Sequence, residues 1–142
     1  MNFLLDTDHI SILQREAGQE FATLSTRISW HNPFDLAFSA VSFHEQTLGC
    51  HAYINRARTS AEVVRGYRML TRVIHTFAAA PVLPFDLDAA SAFEDLMAKR
   101  LRIATMDLRI AAIAISRGLT LLTRNIGDFG KVSGLRTEDW TR

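Results

Sequence analysis

The sequence has one cysteine, three prolines and only two lysines among its sixteen basic residues. It also lacks any apolar stretch near the roughly 18 residues a membrane span needs. The lone Cys50 cannot form an intramolecular disulfide, and no Cys/His pair has zinc-ligand spacing. The N-terminal MNFLLDTDHIS holds only a short apolar run interrupted by acids, which is not the pattern of a signal peptide. These absences lead to the expectation of a cytoplasmic protein with no membrane partner. The seven glycines and three prolines form no linker or low-complexity tract, and no internal repeat is visible. The 142 residues therefore read as one domain spanning 1–142. A chain of this size buries about 68–70% of its unfolded surface, so one core needs no disulfide or structural metal.

Charge of one sign is missing too. Sixteen Lys+Arg against fifteen Asp+Glu leave a formal net charge of +1, without the surplus that marks a strongly basic nucleic-acid binder. Fourteen of the sixteen are Arg, the residue better suited to bidentate phosphate contact, although a GC-rich genome produces the same bias.

What is present is an alternation of short apolar runs and longer amphipathic stretches. Residues 2–5 (NFLL), 36–41 (LAFSAV), 82–85 (VLPF) and 119–123 (LTLLT) read as buried strands, with a weaker fifth at 135–140. Helical patterns cover 10–30, broken near Gly18, then 43–57, 60–79, 89–101 and 107–117. Asp107 suits the first turn of the last helix and Gly118 suits its end. Such alternation implies an α/β fold with a parallel sheet of four to five strands covered by helices on both faces.

In an open α/β sheet the ligand site lies at the carboxyl ends of the strands. Asp6 and Asp8 directly follow the first strand, Glu45 follows the second, and Asp128 follows the fourth. Asp107 opens a helix antiparallel to the strand after it, which puts it at the same edge. Residues 102–106 (RIATM) must then cross the sheet, and five residues reach about 17 Å only if extended. An extended segment is therefore expected there. Any one of these acids is accounted for as a helix cap or turn residue, but four gathered at one edge are not. Carboxylates about 5 Å apart repel by roughly 3 kcal/mol per pair at an effective dielectric near 20. Divalent cations are the usual compensation, and an oxygen-only ligand set points to Mg²⁺ or Mn²⁺.

Three segments, LLDTDHIS (4–11), SAVSFHEQTLG (39–49) and MDLRIAAIAISRGLTLLTRNIGDFGKVSGL (106–135), resemble the PIN-domain ribonucleases, specifically the VapC toxins of bacterial toxin–antitoxin pairs. The resemblance runs over essentially the whole chain. It implies a PIN-like three-layer sandwich with strand order 3-2-1-4-5, and metal-dependent endonucleolytic cleavage of RNA by a metal-activated water. Asp6, Glu45, Asp107 and Asp128 match the acidic site, with Asp6 and Asp107 as direct ligands. Thr7, Thr123 and Asn125 fall at supporting positions, and Asp8, where the family often has Asn, joins them. Ala104 stands where a Gly is common. The implied partners are a second copy of the chain and a cognate antitoxin that covers the site with an apolar helix and a basic side chain. Apolar surplus at 93–101 and 110–115 fits such an assembly.

Other motifs carry less. Asp128-Phe129-Gly130 spells the kinase metal triplet without the rest of a kinase, and His44-Glu45 lacks the zincin's second histidine, since position 48 is Leu48. The Asp6-Thr7-Asp8 triplet also opens haloacid-dehalogenase phosphatases, but the only lysines, Lys99 and Lys131, are poorly placed for that chemistry. His9 and His44 flank site acids and offer a metal-free route to RNA cleavage, set against the commoner reading of surface or capping histidines. Arg65, Arg68 and Arg72 share a helix face and can hold RNA phosphates, or simply form a solvated face. From a different class stands a non-catalytic PIN-like module that binds RNA or protein, against which the intact acid quartet argues.

Overall fold

The computed structural model describes residues 1–142 and contains five short strands within a shell of helices. In chain order they are β1 (Phe3–Leu5), α1 (Thr7–Arg15), α2 (Gln19–Ser29), β2 (Leu36–Ser39), α3 (Ala40–Arg56), α4 (Ser60–Ala78), β3 (Val82–Leu83), α5 (Leu87–Ala98), α6 (Thr105–Arg117), β4 (Thr120–Leu122), α7 (Ile126–Phe129) and β5 (Thr137–Glu138). All pairings are parallel, in the order β3-β2-β1-β4-β5, with Leu4 opposite Ala37 on one side and Leu121 on the other. This is the expected α/β sandwich and strand order.

Alternation along the strands sorts side chains into two cores. Leu4, Ala37 and Leu121 face one core, completed by α5, α6 and Phe129. Leu5, Leu36, Phe38 and Leu122 face the other, with Ile10, Leu24, Val73, Phe77 and Trp140. A sheet buried on both faces needs apolar residues at consecutive positions, which is why the strands read as unbroken runs.

Local sequence sets the helix ends. Asp6, Ser39, Thr59 and Asp86 each cap a helix with a side-chain oxygen, at α1, α3, α4 and α5 respectively. Ser39 thus stops the second strand and starts α3 at Ala40, three residues before the expected Phe43. Gly118, at φ 66°, closes α6 in the left-handed conformation that glycine adopts without strain.

Two expectations are corrected. Residues 102–106 are not an extended crossing: α6 already begins at Thr105, and the link from α5 bends through Arg100 at φ 53°. No crossing is needed, because α5 and α6 form an antiparallel pair in which Arg117, at the end of α6, bonds Asp86 at the start of α5 over 3.3 Å. Nor does α6 offer apolar surface to a partner. Ile110, Ala111, Ala112, Ile113 and Ala114 are completely buried in the chain's own core. On α5 Leu96 is likewise buried, while Leu87 and Met97 remain exposed. No helix is long and apolar enough to cross a membrane.

Because α6 carries Asp107 in its first turn, its packing fixes that carboxylate. Ile113→Ala is expected to cost about 3 kcal/mol of unfolding free energy, from lost burial plus the cavity left behind. Urea denaturation monitored by circular dichroism measures this.

Candidate active site

The ends of β1, β2 and β4 at the carboxyl edge each deliver one part of the site. Asp6 leaves β1 and caps α1, so its Oδ1 accepts the Thr7 amide at 2.8 Å. Thr123 leaves β4, and its hydroxyl donates to Asp6 Oδ2 at 2.7 Å while accepting the Asn125 amide at 3.0 Å. Both residues are buried, and neither bond brings a positive charge.

Glu45 is positioned through a chain of hydroxyls. Thr7 Oγ1 lies 2.9 Å from both Glu45 Oε1 and Ser42 Oγ. A hydroxyl has one proton, so Thr7 gives it to the carboxylate and accepts one from Ser42. Ser42 in turn sits 3.4 Å from Ser39 Oγ, and the Ser42 amide donates to Ser39 Oγ at 3.0 Å. Ser39 and Ser42 are fully buried positioning residues that motif reading missed. The available signal was their spacing, a capping serine and a second hydroxyl one turn later, directly after a strand.

The remaining expected supports, Asp8 and Asn125, each have partners at the site. Asp8 Oδ2 accepts the Arg124 amide at 2.9 Å and lies 3.3 Å from the Thr123 hydroxyl that serves Asp6. Asn125 Nδ2 donates to Asp128 Oδ2 at 3.3 Å, and Lys131 Nζ is 3.4 Å from Asp128 Oδ1. His9 is completely buried, with Nδ1 2.7 Å from Asp8 and Nε2 accepting the Trp140 amide at 3.2 Å. Both ring nitrogens are engaged and no solvent reaches them, so the metal-free histidine route loses one of its two members. His9 instead ties the C-terminal segment to Asp8. Next in that segment, Asp139 experiences burial that raises its pKa, but bonds from Thr141 and Arg142 outweigh it and hold the carboxyl below its ordinary range.

The acids feel one another. Burial, then the charge of Asp8, then more weakly that of Asp107, push Asp6 up to about 7 against the lowering bonds from Thr123 and Thr7. Asp107 is raised by burial and by the charges of Glu45, Asp128 and Asp8. The fold therefore brings Asp6, Asp8, Glu45, Asp107 and Asp128 into one negative field. They are gathered without being clasped, since no three carboxylate, imidazole or thiol groups form a ready-made cage. Donor chemistry and uncompensated charge both suit a hard divalent cation held by oxygen. Asp6, Glu45, Asp107 and Asp128 are the residues that would hold it.

The arginine face is separate from this field. Arg65, Arg68 and Arg72 are exposed on α4. Arg72 lines a surface cleft with Arg15 and Glu16, at the end of α1 opposite Asp6. The nine residues of α1 span about 13 Å.

A testable consequence follows from Asp6. An unfolded carboxyl titrates near 3.8 and the folded one near 7, so the folded state binds the extra proton between these values. Stability from Asp6 is complete below about pH 4 and declines as pH rises through about 7. In EDTA, Asp6→Asn removes that penalty, because Asn can still accept the Thr7 amide. Its melting temperature is expected to exceed the wild type's by a few degrees at about pH 8.5, with a smaller difference at about pH 5. Differential scanning fluorimetry across that range checks it, and an advantage that shrinks with pH contradicts it.

Known proteins resemble the chain in sequence and in fold. No protein-family model matches the chain. Ribonuclease VapC1 of Rickettsia felis is 28% identical over 139 residues, covering 95% of this chain and 93% of that protein. The tRNA(fMet)-specific endonuclease VapC of Shigella flexneri is 41% identical over 64 residues, 42% of this chain and 48% of that protein. Among solved structures, DNA-bound VapBC from Salmonella typhimurium superposes with a TM-score of 0.77 at 25% identity, over 99% of this chain and 98% of that one. The chain is thus similar in sequence over nearly its full length to a VapC ribonuclease, and it shares the fold of a VapBC complex.

Proposed function

We propose that the protein is an endoribonuclease that uses Mg²⁺ or Mn²⁺ and acts as the toxin of a type II toxin–antitoxin pair. The observation that carries this reading is the convergence of Asp6, Glu45, Asp107 and Asp128, with Asp6 pushed up to about 7 and Asp107 raised as well. A site with this much unbalanced negative charge repels a phosphate placed at the acids themselves until a cation occupies it. When bound, the cation supplies positive charge beside the scissile phosphate and lowers the pKa of water there.

The chain's own residues do the rest. Thr123 and the Thr7 amide hold Asp6 rigid, Thr7 holds Glu45, and Asn125 holds one oxygen of Asp128. Each bond uses one carboxylate oxygen or edge and leaves remaining lone pairs for ligation. Burial of both cores keeps the strand ends, and with them the acids, in fixed register.

Support for the biological setting comes from the relatives. The Rickettsia and Shigella proteins are named as a ribonuclease and an endonuclease, and the Salmonella structure is a VapBC complex bound to DNA. A cognate antitoxin is therefore the partner we assign, with a cytoplasmic site of action and a homodimer as the toxin's assembly. With α6 spent on the core, the apolar side chains available to partners include Val63, Val64, Tyr67 and Ile74 on α4, and Leu87 and Met97 on α5.

Purified protein is expected to cleave RNA with Mn²⁺ or Mg²⁺ and to stop in EDTA. Asp107→Asn is expected to lose about 100-fold or more of the activity while keeping a wild-type circular dichroism spectrum. Cleavage that survives both chelation and Asp107→Asn ends the metal reading. A variant that binds Mn²⁺ as well as the wild type by calorimetry favours the non-catalytic module.

A further inference from the structure

Beside the acids lies an open groove of about 550 Å³ whose lining includes Asp8, Asn125, Glu20, Arg124, Asp139 and Arg142 and no apolar side chain. A groove lined by polar and charged side chains suits a charged or polar ligand and not an apolar helix. It is continuous with the site through two of its members. Asp8 approaches the hydroxyl that Thr123 donates to Asp6, and Asn125 bonds Asp128.

Arg124 stands between them in the chain, and its amide is pinned to Asp8 at 2.9 Å, so its side chain is rooted at the edge of the acid field. The guanidinium pairs with Glu20 at 3.1 Å, where the two side chains are 47% and 42% exposed. An ion pair this open to water contributes little to stability and is readily exchanged. The other acids of the groove already have partners: Asp8 accepts from the Arg124 amide and meets His9, and Asp139 accepts from Thr141 and Arg142. A planar guanidinium is the side chain best matched to a phosphate, and that of Arg124 is held by an ion pair open to water.

We propose that this groove carries the RNA strand away from the acidic site, with Arg124 exchanging Glu20 for a phosphate that flanks the scissile one. The proposal rests on the ribonuclease reading above. Glu20 then acts as a placeholder that competes with RNA for the same guanidinium.

The probe is a short single-stranded RNA of mixed sequence, with binding followed by fluorescence anisotropy in EDTA and cleavage followed separately with Mn²⁺. Arg124→Gln is expected to weaken binding about 10-fold and to lower the slope of log affinity against log salt by about 0.7, one phosphate contact on a single strand. In cleavage it raises KM and leaves kcat within about twofold. Glu20→Gln, which frees Arg124, is expected to tighten binding about two- to fivefold. Arg117→Gln removes the same charge at the far end of α6 and leaves both quantities unchanged. Wild-type affinity and slope in Arg124→Gln overturn the proposal, as does a Glu20→Gln variant that binds as weakly as Arg124→Gln. Cleavage by the wild type with no Arg124 dependence contradicts the groove alone. Arg124-dependent binding without cleavage contradicts the nuclease reading and leaves the groove standing.

Discussion

Asp6 is a carboxylate that the fold buries and then surrounds with other carboxylates. Burial and the neighbouring charge of Asp8 both disfavour its ionised form, and the two bonds it accepts, from Thr7 and Thr123, are neutral. A chain selected only for stability would place an uncharged residue there. The rest of the molecule is arranged so that this unfavourable group is held still: a sheet covered on both faces, five parallel strand ends at one edge, and α6 anchored by a fully buried stripe from Ile110 to Ala114. Stability of the cores offsets the strain of the site, and a bound cation would relieve it.

The supports show how short polar side chains can aim several acids without neutralising them. Thr123 serves Asp6 and lies close to Asp8, Thr7 serves Glu45, and the buried serines 39 and 42 fix Thr7 from behind. Arginines are kept off the acids themselves. The Arg124 guanidinium turns to Glu20, and the arginines of α4 stand apart from the site. The +1 net charge of the chain is thus two opposed features, a negative pocket and an arginine-rich surface, that nearly cancel.

Much of this arrangement is legible in the sequence because its physics is local. Doubly buried strands leave unbroken apolar runs, so β1, β2 and β4 stand out, and acids directly after those runs fall at the carboxyl edge by topology alone. Features set by tertiary contact are not legible in the same way. The antiparallel pairing of α5 with α6, which makes an extended 102–106 segment unnecessary, depends on the packing of two helices. The apolar surplus of α6 looks like a docking surface until the sheet is seen to cover it. His9, a plausible base beside an acid, proves to be a buried tie to Trp140, a contact 131 residues away in sequence. The four-residue α7 that carries Asp128 is too short for any periodicity to announce it.

The central claim is that Asp6 holds a proton near neutral pH because it is buried and its neighbours are negative, and that it would give the proton up to a cation. Isothermal titration of the chain with Mn²⁺ in buffers of different ionisation enthalpy counts the protons released. Close to one proton should leave at about pH 6 and almost none at about pH 8.5, with the release absent in Asp6→Asn. Binding that releases no proton at either pH, or that releases the same number from Asp6→Asn, would contradict the account.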